Sequence, residues 1–394
     1  MRDRVRMAGE SWSFKRDYRS FDFILAFFVL GLLVFGVFMV GSAEHIDVDG
    51  FTPLFKKHIM WVATGVLIML AMAFIDFAFI CRFYLALYGL NLLLLVLVLF
   101  IGTSTNDTAR WIYLSDLGIR GLSFGIQPSE FTKIFMIIYM AKFLDKCRER
   151  IDNIFVLGAV ALLGVVPIVL IAVQPSLSAA VAVGVILVTM LFTAKVRWKY
   201  ILIVLGISLP ILVLFYYDLM HSENQIILDK IMQPFQQGRI RVWIDPESDP
   251  ARWFQSQRSI DAIRSGQLTG RGLFNNVVAV PYSHNDFIFA VIGAEFGFVG
   301  CVGVIGAILV VVVRCFVIAF KSDVFVGRLI AAGTGGMIAF QTFLNVSVAT
   351  GTLPNTGITL PFISSGGSAI WITMAAVGLV MSVGMTRTKS MFED

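Results

Sequence analysis

Long apolar runs separated by short polar stretches make up most of the chain. Each run is close to the length that a helix needs to cross a hydrocarbon layer about 30 Å thick. The pattern predicts ten spans, at residues 23–43, 58–75, 83–101, 129–144, 154–173, 176–194, 200–217, 286–313, 326–350 and 362–385. A charged arm, residues 1–22, precedes the first run with no small-residue cleavage site, so that run reads as a span and not as a removable signal. The expected fold is a single all-α polytopic membrane domain over residues 1–394.

Composition narrows the class further. Of 394 residues 58% are hydrophobic and 14% charged, which excludes a water-soluble globule and a disordered chain. Cys81, Cys147, Cys301 and Cys315 lie in or beside apolar runs without CxxC or Cys/His spacing, so neither a metal site nor a disulfide is expected.

The distribution of charge orients the spans. With ten spans, 19 of the 31 basic residues fall on the side that carries both termini, and short loops hold most of them. The positive-inside rule therefore makes both termini cytoplasmic. One segment on the opposite side, residues 221–285, is a large polar loop between spans seven and eight, and it is expected to form short interfacial helices. Its acidic and basic residues nearly balance, so no polybasic stripe for nucleic acid is present in it.

Ionisable groups in or beside spans are costly and need a reason. Glu130 and Lys133 open span four three residues apart, on one helix face, where they neutralise each other as a structural ion pair or serve a site. Asp286 opens span eight, either as a helix N-cap or as a general base facing the large loop, with His284 two residues before it. Glu295, nine residues on, lies about 13 Å deeper on nearly the opposite face. It is expected to secure packing rather than to form a catalytic pair. Gly266, Gly270 and Gly272 read as a tight turn or an anion-binding nest. Residues 353–368, rich in Gly, Pro and Ser, are non-helical backbone that must be buried in protein or line a cavity.

Five strings in order resemble the SEDS family (shape, elongation, division and sporulation), which includes RodA-like and FtsW-like proteins. They are Ala109-Arg110-Trp111-Ile112, Gln127-Pro128-Ser129-Glu130-Phe131-Thr132-Lys133, Gln174-Pro175, His284-Asn285-Asp286-Phe287-Ile288-Phe289-Ala290 and Leu360-Pro361-Phe362-Ile363-Ser364-Ser365-Gly366-Gly367-Ser368. Residues 245–250 lean towards the RodA type. Ser176, Ala294 and Ser365 depart from the family pattern and receive no catalytic role.

The resemblance implies a peptidoglycan glycosyltransferase in the bacterial cytoplasmic membrane that polymerises lipid II at its outer face. Asp286 matches the family's catalytic aspartate, and Arg110, Glu130 and Lys133 match its functionally important residues. The α-linked diphosphate donor and β-1,4 product require inversion, for which one base suffices. The leaving diphosphate needs positive charge, available from Arg110, Lys133, Arg239 or Arg241, with Arg110 and Lys133 preferred. His284 and Ser364 join the substrate-binding set. No tightly bound cofactor and no protein metal site are expected, although a divalent cation would suit the leaving group. The implied partners are lipid II, membrane lipids and a class B penicillin-binding protein transpeptidase. Two rival readings are a lipid II flippase and a non-catalytic scaffold. A flippase built from related halves would show an internal repeat, and none is evident.

Overall fold

The computed structural model describes residues 15–46, 50–105, 108–113, 125–174, 176–200, 202, 206, 234–275 and 278–387. They form a helical bundle. Its long helices are α1 (Phe23–Ala43), α2 (Pro53–Phe74), α4 (Tyr84–Ile101), α5 (Pro128–Lys146), α6 (Ile154–Val173), α7 (Leu177–Thr193), α10 (Ile288–Lys321), α11 (Phe325–Ala349) and α12 (Gly367–Gly384). A short α3 (Phe77–Arg82) links α2 to α4, and α8 (Pro234–Ile244) and α9 (Pro250–Gly266) precede α10. Nine predicted spans fall on helices. The seventh, 200–217, lies almost wholly outside the described residues, as do residues 221–233 of the large loop and Pro175. By length and composition α1, α2, α6, α10, α11 and α12 can each cross a membrane.

Local chemistry sets the boundaries and moves several of them. Thr52 caps α2, its Oγ1 accepting from the Phe55 amide at 3.1 Å, and Pro53 takes the first turn, so this helix starts ahead of residue 58. The last helix starts at Gly367, not 362, because Phe362 has φ 69° and residues 361–363 form a turn. Two small antiparallel sheets add to the helical fold. One is β2 (Thr103–Thr105), β3 (Thr108–Tyr113) and β4 (Gly125–Ile126), and β3 is rich in β-branched and aromatic residues. The other pairs β1 (Lys15–Arg16) with β5 (Thr386–Arg387), so the first and last described residues meet at one end of the bundle.

Helices α1 and α10 run antiparallel and are tied at both ends. Asp22 caps α1 through Leu25 N–H at 2.9 Å and takes Arg314 Nη2 at 2.6 Å and Nε at 3.0 Å. This ion pair lets α10 continue through Arg314 to Lys321, where the sequence suggested a stop at 313. About 30 Å away along α1, Ser42 Oγ donates to the buried Glu295 carboxylate.

Helix α10 breaks at Gly297, whose φ 63° and ψ −160° are open to glycine but not to a side chain. A break leaves carbonyls without partners on one side and amides on the other, and both must be satisfied away from water. The turn 267–272 after α9 supplies both. Arg271 N–H donates to Ala294 O at 3.1 Å and Gly272 N–H to Glu295 O at 2.9 Å. In the other direction Phe298 N–H donates to Gln267 O at 2.9 Å and Val299 N–H to Leu268 O at 3.1 Å. A Cβ on Gly270 would collide with the Glu295 carbonyl, which explains the glycine string as a splice. The loop helix α9 is thereby fastened to α10.

Because Asp22 both caps and pairs, its two roles separate by substitution. Asp22→Asn keeps an acceptor for the cap and loses the charge, whereas Asp22→Ala loses both, costing about 1 kcal/mol more. Melting of the detergent-solubilised variants should therefore follow wild type, Asp22→Asn, Asp22→Ala in descending order.

Candidate active site

Three consecutive carbonyls just before α10 are each held by a different group. His284 O accepts from Ser365 N–H at 2.8 Å, Asn285 O from Ser364 Oγ at 2.6 Å, and Asp286 O from Asn345 Nδ2 at 2.8 Å. Asn345, buried on α11, also donates to Ile358 O at 2.8 Å, and Ser364 Oγ accepts from Leu360 N–H at 2.7 Å. The next side chain, Phe287, is fully buried. Turn 281–287 is thus locked between α11 and the 353–366 segment. Phe287 occupies the N-cap position of α10, so Asp286 stands one residue outside it.

Asp286 meets Arg239 at Gly357. A Cβ at that glycine would lie 3.6 Å from Asp286 Oδ2 and 3.8 Å from Arg239 Nη1. Arg239 projects from α8, and its Nη1 donates to Asn355 O at 3.0 Å. Burial pulls the Arg239 pKa below its ordinary value; Asp286 opposes that shift and Arg252 adds to it. A carboxylate and a partly desolvated guanidinium therefore share one site.

His284 Nδ1–H donates to Glu44 Oε1 at 2.9 Å, and Thr52 Oγ1 donates to Glu44 Oε2 at 3.0 Å. Glu44 so joins the end of α1, the cap of α2 and the Asp286 turn. Burial lowers the His284 pKa and outweighs the attraction of Glu44, which raises it.

The remaining sequence candidates are placed differently. Lys133 is buried and bonded to Glu130 within α5 at 2.6 Å. Arg110 lies in β3, and its side chain falls outside the described residues. Arg241 is exposed two positions from Arg239, on another face of α8. The Ser364 hydroxyl is engaged by the Asp286 turn, and Glu295 by Ser42. Among the described residues no three His, Cys, Asp or Glu side chains gather as metal ligands.

Sequence reasoning missed Asn345, Gly357 and Glu44. A polar residue inside the apolar ninth span and a carboxylate at the end of the first were the available signals for Asn345 and Glu44.

Two cavities flank Arg239. One of about 160 Å³ is mainly apolar, with Leu177, Val181, Ile240, Phe340 and Leu344 in its walls. The other, about 210 Å³, lies between α8, α9 and residues 354–355.

Residues 23–389 match the sequence profile of the FtsW/RodA/SpoVE family, described as cell cycle proteins. A Trichlorobacter lovleyi relative, probable peptidoglycan glycosyltransferase FtsW, is 32% identical and the match covers 92% of this chain and 93% of that one. Peptidoglycan glycosyltransferase MrdB of Escherichia coli K12 is 30% identical, over 93% and 94% of the two chains. A chain from a solved peptidoglycan synthase complex that coordinates polymerization and crosslinking superposes with TM-score 0.75 at 29% identity, covering 92% of this chain and 97% of its own. The Thermus thermophilus rod shape determining protein RodA gives TM-score 0.65 at 25% identity, over 93% and 97%.

The His284–Glu44 pair yields a pH prediction. A depressed histidine pKa means that the unfolded chain binds the proton first, so the stability from neutral His284 is complete above about pH 6.5 and lost as pH falls. Glu44→Gln removes the charge that favours the imidazolium, so NMR titration should find His284 lower still in that variant.

Proposed function

The chain belongs to the FtsW/RodA/SpoVE family and is a peptidoglycan glycosyltransferase, and we propose that it polymerises lipid II with Asp286 as general base and Arg239 on the leaving diphosphate. The observation that carries this reading is the convergence beside Gly357 of Arg239 from α8 and Asp286 from a turn whose three carbonyls are tied down.

The acceptor GlcNAc 4-hydroxyl attacks the donor's anomeric carbon and passes its proton to Asp286. The new β-1,4 bond forms as the α-bond to diphosphate breaks, and the bonding electrons leave on the diphosphate oxygen. Arg239 meets that developing charge. Its proximity to Asp286 gives it the role that the sequence favoured for Arg110 and Lys133. Lys133 and Glu130 neutralise each other within α5, and Ser364 and His284 position the turn. Charge distribution supports cytoplasmic termini and an outward-facing site. A lipid-linked substrate and a membrane-embedded penicillin-binding protein partner fit that placement. The lean towards the RodA type rests on residues 245–250, since FtsW and MrdB relatives stand at similar identity.

Purified protein and cognate transpeptidase supplied with lipid II should yield glycan strands on a gel. Asp286→Asn should yield none while melting as wild type does. Arg239→Ala should lower kcat on the order of a hundredfold. Equal product from wild type and folded Asp286→Asn would remove Asp286 as the base. No product from wild type would favour a flippase or a scaffold.

A further inference from the structure

The second cavity beside Arg239 has a chemistry that the catalytic scheme leaves unused. Arg239, Trp243, Arg252, Trp253, Gln255 and Asn355 line it. Two guanidinium groups around one small cavity repel each other, and Arg252 indeed lowers the Arg239 pKa. Both are nevertheless anchored there. Arg239 is held by Asn355 O, and Arg252 Nε lies 3.2 Å from Asp249 Oδ2. The Arg252 guanidinium also crosses α8 where Gly238 leaves room, since a Cβ at that position would collide with it. A glycine inside a helix costs about 1 kcal/mol relative to alanine, so its presence under Arg252 is a local concession to that arginine's placement.

The other walls suit a sugar. Trp243 Nε1 donates to Gly351 O at 3.0 Å and Trp253 Nε1 to Gln257 Oε1 at 3.0 Å, which fixes both indoles. Asn355 Nδ2 donates to Gln255 Oε1 at 3.2 Å and Gln255 Nε2 to Pro281 O at 2.8 Å, so this wall is joined to the Asp286 turn. Fixed aromatic rings, amides and paired guanidiniums in one cavity are suited to an anionic sugar. Arg239, which stands near Asp286, lines both the apolar cavity and this second one. A lipid-linked glycosyl diphosphate likewise carries its anionic diphosphate between an apolar chain and a sugar.

We propose that this second cavity is the diphosphate-sugar subsite for the lipid-linked donor, with Arg252, Trp253 and Gln255 as its recognition residues. The proposal rests on the glycosyltransferase reading and adds to it the place where the donor's head lies. These residues bind and orient; they take no part in the proton transfer to Asp286.

The test uses the full-length protein in detergent and has a binding arm and a turnover arm. Inorganic pyrophosphate, titrated calorimetrically, should bind Asp286→Asn at least as tightly as wild type, and Arg252→Ala about tenfold more weakly. Trp253→Ala should raise the lipid II concentration for half-maximal polymerisation about tenfold while largely keeping kcat. Gly238→Ala, which displaces the Arg252 tip without removing any wall residue, should weaken pyrophosphate binding in the same direction. Unchanged pyrophosphate affinity in both Arg252→Ala and Gly238→Ala, with unchanged half-saturation in Trp253→Ala, would overturn the subsite even if wild type polymerises normally. Failure of wild type to polymerise counts against the enzymatic reading, and pyrophosphate binding then still decides whether the cavity is an anion subsite.

Discussion

The rest of the site depends on the repair of one broken helix. In an apolar surrounding, an open break at Gly297 would expose carbonyls and amides with no water to take them. The turn 267–272 satisfies both sets with four backbone hydrogen bonds. It therefore does more than end α9, because it fixes the large loop to the helix that follows Asp286. Helix α8, which carries Arg239, is continuous in chain with α9 and lines a cavity with it. The nearness of the guanidinium to the carboxylate beside Gly357 depends on that attachment.

A second constraint acts from the opposite side. Asn345 on α11, Ser364 and Ser365 hold the Asp286 turn by its backbone, while Glu44 holds it through His284. The carboxylate itself stands outside the helix cap. Backbone restraint of the turn fixes where the Asp286 carboxylate starts, as the proposed general base would require. The nearby Asp286 carboxylate opposes the fall that burial imposes on the Arg239 pKa, so the partly desolvated guanidinium keeps a counter-charge.

Much of this was legible in the sequence, for identifiable reasons. Apolar run length located nine helices, and the cost of a carboxylate beside a span pointed to Asp286. Arg239 stood only as one of four candidate cations, because nothing local distinguishes it from Arg241. Only the return of the loop onto α10 separates them. Arg314 resembled a helix end until Asp22, far away in sequence, appeared as its partner. Gly266, Gly270 and Gly272 suggested a turn, but the helix break that they serve lies in another element. Contacts made across the fold leave no periodicity in the chain, and Asn345, Gly357 and Glu44 act only through such contacts.

The claim that the splice positions the catalytic pair can be measured at a residue that the proposed chemistry does not use. Gly270→Val places a side chain against the Glu295 carbonyl, at a φ of 81° that valine resists. With helical content confirmed by circular dichroism, the rate of lipid II polymerisation should fall by about tenfold or more, because the loop no longer holds Arg239 in place. A folded Gly270→Val protein that polymerises at the wild-type rate would contradict the account.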